Sequence, residues 1–300
     1  MLLQDLLALG AATCWAASAL LSARPAKRLG AVRFVRWRMF LVLLILWPLT
    51  GLSGAWVHIS WDQGAAMVLS GLIGITLGDS ALFAAMNRLG PRRTGVLFTT
   101  HALFSAALGF IWLGERLGLQ AYGGAILAVT GVMIAVAWGH RQQVADPWEP
   151  TGNLRTGVAL ALGAAACQSL GALLAKPALT GEGALAPELA LTLRVSAAWV
   201  ALVVVGWWST KARAMRPSPL SWQAIQDTAI SGWVGMGVGM GLLLWALSLG
   251  SMGAVGVLSS VSPVLVLPML WIINRRPPTW GAWLGAALAV MGSALMVTRV

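Results

Sequence analysis

The chain has 300 residues, of which 58% are apolar and 10% are charged, and its formal net charge is +11. Ordinary soluble domains carry about a quarter charged residues, so this composition excludes a soluble domain and indicates an integral membrane protein. The Arg residues lie between apolar stretches and do not form a soluble basic domain, which argues against nucleic acid as a partner. The lipid bilayer is therefore the expected surrounding of most of the chain.

Ten apolar stretches follow one another along the chain, each near the length of about 20 residues that a membrane-spanning helix needs. We therefore predict an all-α membrane protein with ten transmembrane helices. No basic segment precedes the first stretch, so we expect a retained helix and not a cleaved signal. The approximate limits of the stretches are 5–22, 37–53, 64–86, 94–113, 118–138, 155–175, 188–208, 224–248, 253–273 and 279–297.

The two cysteines, Cys14 and Cys167, both lie inside apolar stretches. Neither a disulfide framework nor a metal-binding spacing can be built from them. We therefore expect no metal and no cofactor.

The stretch from Ser70 to Val136 occurs twice, because a shift of 161 positions aligns it without a gap on Ser231 to Val297. Eighteen of the 67 aligned pairs are identical, and a repeat of this length sets the fold. We predict a first five-helix repeat at 1–138, a polar linker at 139–154 and a second five-helix repeat at 155–300. The glycines shared by the two copies include Gly71, Gly74, Gly78, Gly131 and their partners Gly232, Gly235, Gly239, Gly292.

Loop charges indicate how the two repeats cross the membrane. Five helices is an odd number, so two consecutive copies must run in opposite directions. The loops after the odd-numbered stretches and their margins hold 16 of the 20 Lys and Arg residues, and the other face holds 4. The positive-inside rule then predicts an inverted 5+5 repeat with the Arg-rich loops in the cytoplasm. We expect a multi-pass protein of the inner membrane with both termini outside the cytoplasm.

Two ionisable residues lie deep in predicted helices, where such residues are costly and often functional. Asp79 lies 11 residues before the turn at Gly90-Pro91, and His101 lies 10 residues after it. At about 1.5 Å per residue, both side chains lie roughly 16 Å from that turn, near the bilayer midplane. Together they could exchange a proton or bind an ammonium group. The alternative is that Asp79 hydrogen-bonds a neighbouring helix and His101 packs as a neutral ring.

Further polar and aromatic residues could line the same midplane cavity. Arg194 could bind a carboxylate, and Arg38 could do so or anchor a helix end at the interface. Hydroxyl groups in membrane helices often bond to their own backbone or to a neighbouring helix instead. The predicted substrate-binding residues are Asp79, His101, Trp15, Ser18, Thr100, Gln168, Arg194, Ser260, Ser262 and Trp245.

The first copy contains Leu89-Gly90-Pro91-Arg92-Arg93-Thr94, then Leu113-Gly114-Glu115-Arg116-Leu117 and Gly123-Gly124. These motifs resemble the EamA repeat of the drug/metabolite transporter superfamily, and the resemblance extends over nearly the whole chain as two copies. It implies ten helices in an inverted repeat, a central cavity and export or exchange of small metabolites, often amino acids. It also implies cytoplasmic termini for many members, whereas the loop charges indicate the opposite, and we follow the charges.

The leading functional hypothesis is a secondary transporter that moves an amino acid or a similar small polar or amphipathic metabolite by alternating access. The chain has no nucleotide-binding loop, so ATP is not the evident energy source. Proton coupling through Asp79 or His101 is one hypothesis, and facilitated diffusion or exchange is another. We expect a monomer or a weak dimer. The alternatives are a channel for small solutes and an intramembrane enzyme, although the chain lacks the paired acids or metal cluster that such an enzyme needs.

Overall fold

The computed structural model of the protein describes residues 3–54, 59–115, 118–138, 153–208, 221–274 and 279–297. Every regular element in these ranges is a helix. The predicted polar linker at 139–154 lies outside the described residues except for its last two positions. Asn153 begins the second half of the described chain, where its side chain accepts a hydrogen bond from the backbone N–H of Arg155 and so caps a helix.

The helices, two π-helical segments and one short 3₁₀ turn follow in chain order. The α-helices are α1 Leu3–Leu29, α2 Ala31–Leu52, α3 Trp61–Gly71, α4 Ser80–Phe98, α5 His101–Leu113, α6 Leu119–Trp138, α7 Leu154–Ala175, α8 Pro187–Trp208, α9 Trp222–Gly232, α10 Met240–Leu249, α11 Met252–Ser259, α12 Ser262–Asn274 and α13 Trp280–Val297. The first π segment, Leu72–Asp79, joins α3 to α4, and the second, Trp233–Gly239, joins α9 to α10, while the 3₁₀ turn Lys176–Leu179 extends α7.

The length and polarity of these helices are those of a multi-pass membrane protein. Large apolar side chains such as Ile111, Ile126 and Val290 are exposed on the outside of the bundle, as lipid contact requires. The prediction of an all-α membrane protein is thereby confirmed. Six helices of the described chain are long and apolar enough to cross a membrane, namely Leu3–Leu29, Ala31–Leu52, Trp61–Gly90, Leu154–Leu179, Pro187–Trp207 and Trp222–Leu249. Four more helices are apolar but shorter, namely His101–Leu113, Leu119–Ile134, Met252–Val266 and Trp280–Gly292.

Equivalent positions of the two halves carry the same local features, beginning with the helix starts. Ser60 accepts a hydrogen bond from the backbone N–H of Gln63 and so caps α3, and Ser221, 161 positions later, caps α9 through the N–H of Ala224. Serine is a favoured N-cap because its hydroxyl satisfies an N–H that the helix leaves free. The two π segments are also 161 positions apart. Such segments are rare and are frequent at functional sites.

The helices that follow the π segments are interrupted at matching points. Thr99 and Thr100 separate α4 from α5, and Ser260 and Val261 separate α11 from α12. In the second half Pro263 lies in the first turn of α12, where its missing N–H removes no helical hydrogen bond. The interruption in the second half therefore precedes both Pro263 and Pro268, and Pro268 lies inside α12.

The predicted turn between the third and fourth apolar stretches lies at Gly90, inside α4. Its backbone has φ 80° and ψ 160°, a left-handed conformation that favours glycine. Pro91 follows it directly. The helix is kinked at this residue, so α4 belongs to one apolar stretch before Gly90 and to the next one after it.

The last helices of the two halves, α6 and α13, cross at their glycines. A Cβ added at Gly131 would meet backbone atoms of Gly285 and Ala289, and one added at Gly292 would meet backbone atoms of Gly124 and Ala128. Later residues of α6 thus face earlier residues of α13, and the two helices run antiparallel. The contacts repeat under exchange of the halves, because Gly292 lies 161 positions after Gly131 and Ala289 lies 161 positions after Ala128.

The turn between α10 and α11 is held by charged side chains from two other parts of the chain. The Glu115 carboxylate accepts hydrogen bonds from the backbone N–H groups of Met252 and Gly253, at 2.7 and 3.1 Å, where α11 begins. The Lys176 ammonium donates to the carbonyls of Leu247, at 2.7 Å, and Gly250, where α10 ends. A carboxylate at a helix start and a cation at a helix end both satisfy free backbone groups and oppose the helix dipole favourably.

Replacing Glu115 with Ala will lower the free energy of unfolding by about 1–3 kcal/mol, because two backbone N–H groups of α11 lose their acceptor. Thermal unfolding of the purified protein in detergent measures the change. The matched control is Glu182→Ala, which removes an exposed carboxylate near the 3₁₀ turn. Equal stability of the two variants would contradict the capping role.

Candidate functional site

A buried ion pair joins α2 to the first π segment. Nη1 of Arg38, on α2, is 3.4 Å from a carboxylate oxygen of Asp79, the last residue of the first π segment. The Arg38 Nη2 donates to the hydroxyl of Ser18 at 3.1 Å. The guanidinium carbon also lies 5.4 Å from the ring centroid of Phe83 and 6.0 Å from that of Phe34. The positive charge of Arg38 is therefore balanced by a carboxylate, and its guanidinium is hydrogen-bonded and in contact with aromatic rings.

A second arginine, Arg194 on α8, lies close to the same carboxylate and is only 1% exposed. It interacts electrostatically with Asp79, although Arg38 makes the direct ion pair. Its Nη1 donates a long hydrogen bond to the thioether sulfur of Met240, at 4.0 Å. Its Nε, like that of Arg38, has no hydrogen-bond partner among the described residues. Arg38, Asp79 and Arg194 are called the Arg–Asp–Arg cluster below.

Glycines at the start of each π segment and at the end of the helix before it contact these arginines in a similar way. A Cβ at Gly71 would meet the backbone of Arg194, and one at Gly74 would meet its guanidinium. In the other half, Gly232 and Gly235 stand in the same relation to Arg38. The missing side chains of each glycine pair thus leave space for the arginine of the opposite repeat. The cluster lies where the two repeats pack together.

Helix α1 closes the cluster on one side through two hydrogen bonds to the second half. The Ser18 hydroxyl donates to the carbonyl of Ser231 at 2.9 Å, and the Trp15 indole N–H donates to the carbonyl of Gly235 at 3.0 Å. Both carbonyls belong to the end of α9 or to the π segment that follows. Trp15 also faces the His101 ring edge-on, with the ring centroids 6.4 Å apart.

His101 lines a small cavity beside the cluster that has room for about one water molecule. The His101 ring is almost completely buried and also contacts Phe98, at 5.1 Å between centroids. The full lining is His101, Ser105, Gln168, Ala172, Leu243, Leu247, Met252, Val255, Gly256 and Ser259.

The structure brings together six of the ten predicted binding residues. Asp79, Arg194, Ser18 and Trp15 lie at or next to the Arg–Asp–Arg cluster, and His101 and Gln168 line the cavity. The ionic neighbours of Asp79 in the described chain are the two arginines, so the predicted pairing of Asp79 with His101 is not seen.

The other four predicted binding residues are not among the described residues that line the cavity or bond to the cluster. The hydroxyls of Thr100 and Ser260 donate to backbone carbonyls three residues earlier, each at 2.7 Å. Ser262 starts α12 and does not line the cavity. Trp245 is 46% exposed on the outer side of α10, since Leu244 and Leu247 take the inner side. Trp245 is not among the residues that line the cavity described above.

Sequence reasoning left Arg38 out of the binding residues, and the interface role that we considered for it is wrong. Arg38 is only 5% exposed, and it lies inside α2, seven residues after the first residue of that helix. Two signals were available to find it. Arg38 and Arg194 occupy comparable points in the two repeats, and a single deep carboxylate requires a nearby cation to remain charged in the membrane.

A bundle of apolar helices that encloses an ionic cluster between two similar halves is the architecture of a membrane transport protein. A model of the EamA-like transporter family matches residues 2–137 and 155–298, which is most of the chain. The chain belongs to the EamA-like transporter family, as its motifs predicted. No curated protein matches it in a search by sequence. One similar solved structure, described only as a crystal structure of a protein, has a TM-score of 0.73 and 17% identity over 97% of this chain and 95% of that chain, which shows the shared fold.

Proposed function

We propose that the protein is a secondary transporter that moves a small polar or amphipathic metabolite, such as an amino acid, across the inner membrane. The observation that carries this proposal is the Arg–Asp–Arg cluster, buried between the repeats. Charged groups inside a membrane protein are costly and commonly mark a substrate path. A zwitterion would find its carboxylate matched by arginine and its ammonium matched by Asp79.

We further propose that the six long and four shorter apolar helices make ten membrane crossings in an inverted 5+5 arrangement. The contact of α6 with α13 supports this, because equivalent helices of the two repeats run antiparallel there. Inverted repeats with a site at their interface are the usual basis of alternating access. The matching π segments and helix interruptions would allow the two halves to move against each other around the cluster.

Counterflow into proteoliposomes tests the proposed function. Vesicles preloaded with an unlabelled amino acid should accumulate the same labelled amino acid transiently and saturably, and empty protein-free vesicles should not. A channel would give equilibration without transient accumulation, and an enzyme would give a new product. Stimulation by an imposed pH gradient would identify the proton as the coupling ion, whereas facilitated diffusion or exchange would not respond to it.

Fusion of alkaline phosphatase after Val300 should give an active enzyme, because we place the C-terminus outside the cytoplasm, where the disulfides of that reporter form. Fusion within the linker at 139–154 should give an inactive enzyme, since that linker is on the proposed cytoplasmic face. Activity measured on intact cells and normalised to the amount of fusion protein is the readout. The reverse pattern would refute the orientation and leave the fold unchanged.

A further inference from the structure

We propose that Arg194 is the binding site for a carboxylate or similar anionic group of the transported solute, and that this group displaces the Met240 thioether. The inference rests on the proposed function and specifies that the transported solute carries a carboxylate or similar anionic group next to a short apolar part. It follows from the charge of the cluster, from the repeat and from the position of the cavity.

The charge of the cluster is unbalanced. Two guanidinium groups, which stay protonated in proteins, share one carboxylate, and all three residues are at least nine-tenths buried. A buried charge without a counter-ion is strongly unfavourable. One more negative charge would complete the cluster, and no further acidic side chain of the described chain is placed at it.

Repeat symmetry identifies where that negative charge belongs. Asp79 and Met240 occupy equivalent positions, 161 residues apart. Arg38 meets the Asp79 carboxylate, whereas Arg194 meets the Met240 sulfur at 4.0 Å. The second half thus holds the arginine of an ion pair without its acid. Methionine is long, flexible and weakly polar, so it can fill such a position and also leave it.

The two arginines differ in how completely they are satisfied. Arg38 has the Asp79 carboxylate, the Ser18 hydroxyl and two aromatic rings around it. For the Arg194 guanidinium, the hydrogen-bond acceptor given by the described residues is the weakly polar thioether. Nε has no partner among the described residues in either arginine, so the difference lies at the terminal nitrogens. An incoming anion therefore gains most at Arg194, where a fork of N–H donors can bind a carboxylate.

The neighbouring cavity indicates what is attached to the anionic group. Leu243 and Leu247 lie three and seven residues after Met240 on the same helix, so the three side chains share one face. Both leucines line the cavity, together with the polar side chains of His101 and Gln168. A ligand that replaces the Met240 side chain at Arg194 would extend its apolar part toward this cavity.

Thermal unfolding of the purified full-length protein with three isosteric probes tests the inference. Butanoate should raise the midpoint in a concentration-dependent manner by mass action, while butanamide and butylammonium should not. Arg194→Gln should weaken butanoate binding by at least about tenfold, since a bidentate ion pair is lost. Arg88→Gln, which removes an arginine outside the cluster, should leave binding unchanged.

Met240→Asp and Met240→Asn form the sharper pair. The aspartate variant should lose butanoate binding, because its own carboxylate takes the position of the anion, and the asparagine variant should retain binding. Equal stabilisation by butanoate and butanamide, no stabilisation by butanoate, or full butanoate binding by Arg194→Gln would each overturn the inference. Amino acid counterflow that persists in Arg194→Gln would also overturn the inference about Arg194, but it would leave the proposed transport function intact. Butanoate binding without counterflow of any solute would refute the transport function and leave the inference about Arg194 intact.

Discussion

Replacing Asp79 with Asn will lower the free energy of unfolding by about 3–5 kcal/mol, the usual cost of removing one partner from a buried ion pair. The cause is that Arg38 and Arg194 would both remain buried, at 5% and 1% exposure, without a counter-ion. Asn has nearly the volume of Asp, so packing changes little and the effect reports charge. Thermal or denaturant unfolding in detergent measures it.

Two comparisons separate this effect from general damage. Asp62→Asn removes an exposed carboxylate in the first turn of α3 and should change stability by less than about 1 kcal/mol. Adding Arg38→Met to Asp79→Asn should recover part of the loss, because one of the two unpaired cations is then removed. If Asp79→Asn were as stable as Asp62→Asn, the Arg–Asp–Arg cluster would not be an ionic unit.

Replacing Gly131 with Ala will destabilise the protein by about 1–3 kcal/mol, the range for overpacking a tight contact. The added Cβ would meet backbone atoms of Gly285, Leu288 and Ala289 at less than 3.0 Å, and backbone cannot rotate away as a side chain can. Gly292→Ala should behave alike, because its contacts are the equivalent ones on α6. The unfolding midpoint of each variant in detergent is the readout.

Gly163→Ala is the matched control for these variants. It lies in α7, where an added Cβ would meet nothing within 4 Å. Alanine is also the better helix former, so this change should be neutral or slightly stabilising. Equal stability of Gly131→Ala and Gly163→Ala would show that α6 and α13 are not held at the separation described.

Much of the fold was predictable because the repeat places the same features at the same offset. The shift of 161 positions predicted which glycines correspond, and those glycines form the closest contacts of α6 with α13 and of the π segments with the arginines. The π-helical register itself was not predictable. It depends on which carbonyl each N–H selects, and the residues of 72–79 are compatible with an ordinary helix as well.

The site was predicted less completely than the fold, because the direction of a side chain around its helix could not be predicted. Sequence position gives the depth of Asp79 and His101 but not the direction in which each side chain points. Asp79 turned out to face Arg38 and Arg194, which come from helices that the sequence alone does not place beside it. Trp245 shows the same limit, because its helix is apolar on all sides and no polar stripe marks the inner face.

The contact between α6 and α13 has a meaning in terms of symmetry. α6 and α13 contact each other through equivalent surfaces, so the interface is isologous, as in a two-fold dimer. An isologous surface can be met by an identical copy of itself. The two halves of the chain therefore contact each other at α6 and α13 through equivalent surfaces, so the protein contains within one chain an interface of the kind that joins two copies in a homodimer.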